Sequence, residues 1–208
     1  LGYRCVGFAP EGDNVASPVC DDFFTNDWSD RPALAAFAAQ CDAITLEFEN
    51  VPLAVADALP KDRLFPPRKA LEVAQDRLIE KRFVADLGGR PAPHAAVDSR
   101  ADLDAAMESI GTPGILKTRG EGYDGKGQWR LKDERDADGV GNISQPAIYE
   151  GFVTFEAEFS VILVRGQDGE IRFWDSSRNI HHDGILSASV LPAGEAVEAQ
   201  VEEARALS

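Results

Sequence analysis

The chain has 208 residues, 44% hydrophobic and 27% charged, a globular balance long enough for one large domain or two small ones. No run of about 18 apolar residues occurs, which argues against a membrane-spanning helix. The 36 acidic against 21 basic side chains give a net charge of −15, which disfavours nucleic-acid binding but leaves room for a small phosphorylated ligand where cations cluster in a cleft. Cys5, Cys20 and Cys41 are odd in number, with no CxxC or Cys/His pair, and read as free thiols in a reducing cytosol. The opening Leu1-Gly2-Tyr3-Arg4-Cys5 has neither a start methionine nor a signal-peptide core and reads as a chain entered midway.

In chain order, residues 4–9 predict a strand ended by Pro10, Gly12 and Asn14. Residues 31–40 predict a helix with Leu34, Phe37 and Ala38 on one face, residues 43–48 a second strand, and residues 52–59 a short helix opened by Pro52. This alternation implies a parallel, doubly wound sheet. Because the first strand follows an apparent helix end, an opening strand and helix are expected to be absent. Leu71, Ala74, Leu78, Ile79, Phe83 and Leu87 recur at helical spacing and predict one long helix over 67–87, stopped by Gly88-Gly89-Arg90-Pro91. Ser99 with Asp102 has the form of a capping box, opening a helix with Leu103, Met107 and Ile110 inward and Gly111 and Pro113 at its end.

The pattern then turns strand-rich. Residues 114–118, 128–132, 157–165 and 185–191 predict strands, and Gln167-Asp168-Gly169 a hairpin turn into a strand over 170–175. The polar stretch 133–144 reads as a surface helix or loop, and a solvated terminal helix carries Glu195, Glu198, Glu202 and Glu203. The fold class is thus α/β over the first 90 residues and α+β, with antiparallel strands, afterwards.

Four segments carry candidate chemistry. In residues 115–128, Ile-Leu-Lys-Thr-Arg-Gly-Glu-Gly-Tyr-Asp-Gly-Lys-Gly-Gln, four glycines in eight residues offer backbone N–H groups to phosphate oxygens, with Lys117 and Lys126 adding charge. Lys117 ends an apolar strand, where an ammonium needs an anionic partner. The segment is neither a Walker A loop nor a dinucleotide fingerprint, and a plain glycine-rich hairpin competes with the phosphate reading. Residues 147–153, Ala-Ile-Tyr-Glu-Gly-Phe-Val, followed by Glu156 and Glu158, can offer a strand edge to adenine and a carboxylate to ribose, or form a solvated acidic turn. In residues 179–186, Asn-Ile-His-His-Asp-Gly-Ile-Leu, adjacent histidines point apart on an extended chain, so one histidine near a phosphate suits the spacing better than zinc, and plain structural or surface histidines compete with it. Glu47 and Glu49, in Thr45-Leu46-Glu47-Phe48-Glu49, stand at a predicted strand's carboxyl end, where open α/β sheets bind ligands, or are one buried, hydrogen-bonded glutamate and one exposed.

In succession, FENV, KALEVAQDR with Lys81 following, LKTR with GYDGKGQ, YEGFV with Glu156 and Glu158, and NIHHDGIL resemble the N5-carboxyaminoimidazole ribonucleotide synthetases, ATP-grasp enzymes of de novo purine synthesis. The resemblance covers essentially the whole chain. It implies an ATP-grasp fold with a preceding partial Rossmann-like domain, truncated at both ends: a partial pre-ATP-grasp domain and linker helix over 1–90, a lid subdomain over 91–165, and the start of the C-terminal subdomain over 166–208. It further implies a cytoplasmic homodimer that uses magnesium, ATP and bicarbonate to carboxylate aminoimidazole ribonucleotide, without nucleic-acid or membrane partners.

By that resemblance Arg77 and Lys117 contact ATP phosphates. Gly122, Tyr123, Asp124, Gly125, Lys126, Gly127 and Gln128 form the lid. Glu150, Gly151, Phe152 and Val153 line adenine, Glu158 holds ribose and His181 sits beside the nucleotide. Glu47 meets the ribonucleotide, and Tyr123 and Lys126 face it from the lid; Lys117, Lys126, Tyr123 and Glu47 form the catalytic set. Metal ligands are expected beyond Ser208, and none is assigned within the chain. Glu121 departs from the pattern, standing where most relatives carry the first of two glycines before the tyrosine. The competing readings are the ATP-grasp glycinamide ribonucleotide transformylase and a non-catalytic nucleotide-binding remnant.

Overall fold

A computed structural model describes residues 2–120, 127–182 and 185–208. The chain divides into two compact units, Leu1–Ile79 and Glu80–Ser208.

In the first unit, strands β1 (Val6–Ala9) and β2 (Asp22–Thr25) pair in parallel, with Phe8 opposite Phe24. Helix α1 (Arg31–Ala39) starts at Asp30, whose carboxylate accepts the Ala33 N–H at 3.0 Å, with proline in the first turn. Its Leu34, Phe37 and Ala38 are buried, as their spacing predicts. Phe8 packs 5.5 Å from Trp28 and 5.6 Å from Phe37, centroid to centroid, tying β1 to α1. Helices α2 (Leu53–Ala58) and α3 (Arg68–Ala74) add Val55, Ala56 and Leu71 to the same core. Each fully buried valine or leucine side chain here contributes about 1.5–3 kcal/mol.

Two elements differ from expectation. Over residues 43–48 only Ile44 makes a strand-like pairing, a parallel bridge to Leu64 in which its N–H donates to Arg63 O at 2.7 Å and its carbonyl accepts from Phe65 N at 2.8 Å. A strand is defined by its hydrogen-bonded neighbours, and residues 45–48 have no ladder. The long helix over 67–87 is two helices, because side chains compete with the backbone at the junction. Gln75 Nε2 donates to the carbonyls of Glu49 and Val51, both at 2.7 Å. Asp76 accepts the N–H groups of Leu78 and Ile79, opening α4 (Arg77–Asp86).

The second unit is built on an antiparallel sheet of β3 (His94–Val97), β4 (Gly114–Thr118), β5 (Gln128–Leu131) and β6 (Ala147–Gly151), in the order β3-β6-β4-β5. Helix α5 (Arg100–Ile110) covers one face, burying Leu103, Ala106 and Met107 against Val97, Leu116 and Tyr149. Ser99 Oγ accepts the Asp102 N–H and donates to the Asp102 carboxylate, and Gly111, at φ 94, ends the helix. Gly114 is required beside this core, since a Cβ there would overlap the Tyr149 ring.

The predicted strand over 157–165 is two strands in different sheets. β7 (Glu158–Ser160) pairs with β10 (Ser177–His182), which also pairs with β11 (Ile185–Val190); β8 (Leu163–Arg165) pairs with β9 (Ile171–Phe173) across the expected turn. The stretch 133–144 is more than surface: its 3-10 turn Glu134–Val140 places Ala137 in the core. The terminal helix is two short ones, α6 (Glu195–Glu198) and α7 (Val201–Ala206), with Val197 fully buried. No helix among the described residues is long and apolar enough to cross a membrane.

Candidate nucleotide-binding site

Alternation along β4 turns Leu116 towards the α5 core and places Ile115 and Lys117 on the opposite face. In the antiparallel register Ile115 faces Glu150 and Lys117 faces Ile148, so Lys117 and Glu150 are diagonal neighbours on that face. Lys117 Nζ donates to Glu150 Oε2 at 3.0 Å, and Lys81 Nζ, from α4, lies 3.4 Å from Glu150 Oε1. The carboxylate is nearly buried, its side chain 9% exposed, with Lys117 at 25% and Lys81 at 18%. Each carboxylate oxygen has its own ammonium, and the trio carries one net positive charge. The anionic partner that a strand-end ammonium requires is here Glu150. Lys81 is the site residue that sequence reasoning missed: it sits in the family pattern, but no spacing links it to Glu150.

Gly127 and Gln128 stand where the glycine-rich loop rejoins the sheet. Thr118 N donates to Gly127 O at 2.8 Å, and Gln128 pairs with Lys117. Gly127 has φ 68, and a Cβ there would lie 2.7 Å from Thr118 Oγ1, so the position needs glycine. Gly122, Tyr123, Asp124, Gly125 and Lys126 lie outside the described residues.

At the end of β6, Gly151 N donates to Pro93 O at 2.9 Å and Phe152 N to Pro113 O at 3.0 Å. The Arg130 guanidinium lies 4.5 Å over the Phe152 ring, and Phe152 and Val153 are exposed. Glu158 and His181 come from neighbouring strands, β7 and β10, where Glu158 faces Asn179. His181 Nδ1 lies 3.2 Å from Glu158 Oε1. The two residues belong to separate sequence segments, and strand pairing joins them. No group of three or more His, Cys, Asp or Glu side chains suited to a metal occurs among the described residues.

Arg77 and Glu47 belong to the first unit. Arg77 is half-buried at the start of α4. Glu47 is exposed and, with Thr45 and Phe48, lines a cavity of about 420 Å³ whose wall includes Phe8 and Trp28. Glu49 is also exposed, and its carbonyl serves the Gln75 side chain.

A four-stranded antiparallel sheet with a helix on one face and a lysine–carboxylate cluster on the other defines a class. Residues 82–207 match the ATP-grasp domain and residues 1–75 the ribonucleotide synthetase preATP-grasp domain, and the chain belongs to the ATP-grasp family. Within it the chain is similar to N5-carboxyaminoimidazole ribonucleotide synthases. It is 44% identical over 209 residues to that of Brucella melitensis biotype 1, a match covering 98% of this chain and 57% of the relative. The synthetase from Thermus thermophilus superposes with a TM-score of 0.86 at 37% identity, over 99% of this chain and 56% of that one. The Staphylococcus aureus enzyme complexed with ADP superposes with a TM-score of 0.88 at 30% identity, again over 99% and 56%. The chain therefore spans a little over half the length of these relatives.

Proposed function

We propose that this chain carries the nucleotide-binding part of an enzyme that uses ATP and bicarbonate to carboxylate 5-aminoimidazole ribonucleotide, giving N5-carboxyaminoimidazole ribonucleotide, ADP and phosphate in de novo purine biosynthesis. The observation that carries this reading is the net positive Lys81–Glu150–Lys117 cluster beside the mouth of the glycine-rich loop. It stands in a chain 44% identical to an enzyme named for that product, and the S. aureus relative holds ADP.

In this reading Lys117 and Arg77 hold phosphates, and the loop from Gly122 to Gln128 covers them. Glu150, Gly151, Phe152 and Val153 line adenine, with the N–H groups of Gly151 and Phe152 already donated to Pro93 O and Pro113 O. Glu158, oriented by His181, takes the ribose hydroxyls. Glu47, with Tyr123 and Lys126 from the lid, meets the ribonucleotide. Holding amine and bicarbonate together replaces a bimolecular encounter, and fixed positive charge stabilises the phosphoryl group in transfer.

Magnesium belongs to this chemistry, held by one or two carboxylates together with the nucleotide's own phosphates. Its ligands are sought in the part of the relatives' length that this chain does not span. The domain division at 90 and 165, the homodimer and a cytoplasmic location belong to the same proposal; the free cysteines suit a reducing compartment.

The test offers the complete protein ATP, magnesium, bicarbonate and either aminoimidazole or glycinamide ribonucleotide. Carboxylation of the aminoimidazole substrate alone is expected. Formylation of glycinamide ribonucleotide with formate, or ATP binding with no turnover of either amine, would overturn the proposal.

A further inference from the structure

We infer that Lys81 is a positioning residue that holds Glu150 compensated, so that Lys117 is free to turn to a phosphate. This deepens the nucleotide-site reading and rests on it. Neutralising Glu150 takes one ammonium, yet two are present, each on its own oxygen and both largely buried. Burying a second ammonium is costly unless the excess charge meets an anion.

The two lysines are not equivalent. Lys117 is the more exposed, makes the shorter contact at 3.0 Å, and ends the strand beside Thr118, whose N–H meets Gly127 at the mouth of the glycine-rich loop. Lys81 comes from α4 and stands at 3.4 Å, an ion pair that shortens into a hydrogen bond with a small movement. When a triphosphate draws Lys117 away, Glu150 would be a buried, uncompensated anion facing another anion. Lys81 removes that penalty by keeping its hold on the second oxygen.

The charge arithmetic sets the experiment. Lys81, Glu150 and Lys117 sum to +1; Lys81→Met makes the cluster neutral, and adding Glu150→Gln restores +1. ATP and adenosine affinities are measured by calorimetry on the complete protein for wild type, Lys81→Met, Glu150→Gln and the double variant, with Lys81→Gln replacing Lys81→Met in the cycle should the latter not fold. The expected result is ATP binding weakened about tenfold by Lys81→Met, adenosine binding within about twofold of wild type, and an ATP effect under about threefold once Glu150 is glutamine. Lys81→Arg should bind ATP within about threefold of wild type. An equal ATP loss in both backgrounds marks Lys81 as a direct phosphate contact or a structural tie and overturns the inference. Unchanged ATP affinity in Lys81→Met, or an adenosine loss as large as the ATP loss, overturns it as well. Failure of the wild-type protein to bind ATP is a different result, sinking the nucleotide-site reading and this inference with it.

Discussion

Lys117 and Glu150 meet across two antiparallel strands, Nζ donating to Oε2 at 3.0 Å, because the register places them diagonally on one face of the sheet. The contact is a product of strand pairing. Lys117 lies near the end of β4 and Glu150 lies in β6, and Tyr149, between Ile148 and Glu150, turns to the opposite face and packs in the α5 core. The same alternation that buries Tyr149 thus presents the carboxylate to the site.

Tyr149 gives a pH test. Its hydroxyl donates to Gly111 O at 2.8 Å, and burial pushes its phenol above the ordinary value of 10.0. The folded state therefore holds the proton more tightly than the unfolded chain. The resulting stability is complete below the unfolded value and is lost as pH rises through the folded one. Tyr149→Phe should cost about 1 kcal/mol near neutral pH for the lost hydrogen bond and flatten the fall in stability above about pH 10. Urea melts of both proteins from about pH 7 to 11 check this, and parallel curves would show that Tyr149 does not control the alkaline limb.

Ser99→Ala should destabilise the second unit by about 1 kcal/mol, because Ser99 Oγ accepts the Asp102 N–H at the start of α5. Ser99→Asp should recover most of the loss, since an aspartate caps equally well. Chemical denaturation measures both; a neutral Ser99→Ala would mean that burial of Leu103 and Met107 alone fixes the start of the helix.

Glu47→Gln should raise the Michaelis constant for aminoimidazole ribonucleotide in the complete protein about tenfold or more, as expected for loss of a charge-assisted hydrogen bond. ATP affinity should stay within about twofold, because the proposal gives Glu47 a contact with the ribonucleotide and none with ATP. Measuring both constants decides it, and an equal loss in each would mark Glu47 as structural.

Periodic apolar runs and caps were legible in the sequence. Leu34, Phe37 and Ala38 on α1, and Leu103 and Met107 behind the Ser99 cap, are buried as their spacing predicts. The strands β4, β5 and β11 were legible as well, but elements that depend on distant partners were not. β2 is only Asp-Phe-Phe-Thr, two aromatics between polar ends, and residues 45–48 have strand-like alternation without strand partners. The break in the long helix depended on Gln75 reaching back to Glu49 and Val51, contacts no periodicity encodes. At the site, Lys117, Glu150, Glu158 and His181 were nameable from motif order, while the Lys117–Glu150 and Glu158–His181 contacts required register. Lys81 carries no motif chemistry of its own, and its place beside Glu150 emerges only in the folded chain.

The most direct measurement is aminoimidazole-ribonucleotide-dependent phosphate release by the complete protein, compared between wild type and Lys117→Met. One lost charge-assisted contact costs about 1.5–3 kcal/mol in binding and more where charge develops during phosphoryl transfer. Wild type should release phosphate only when ATP, bicarbonate and the ribonucleotide are all present. Lys117→Met should lose at least about a hundredfold in kcat/KM, with the melting temperature nearly unchanged. Turnover in Lys117→Met equal to that of wild type would remove the Lys117–Glu150 face from the active site and contradict the account.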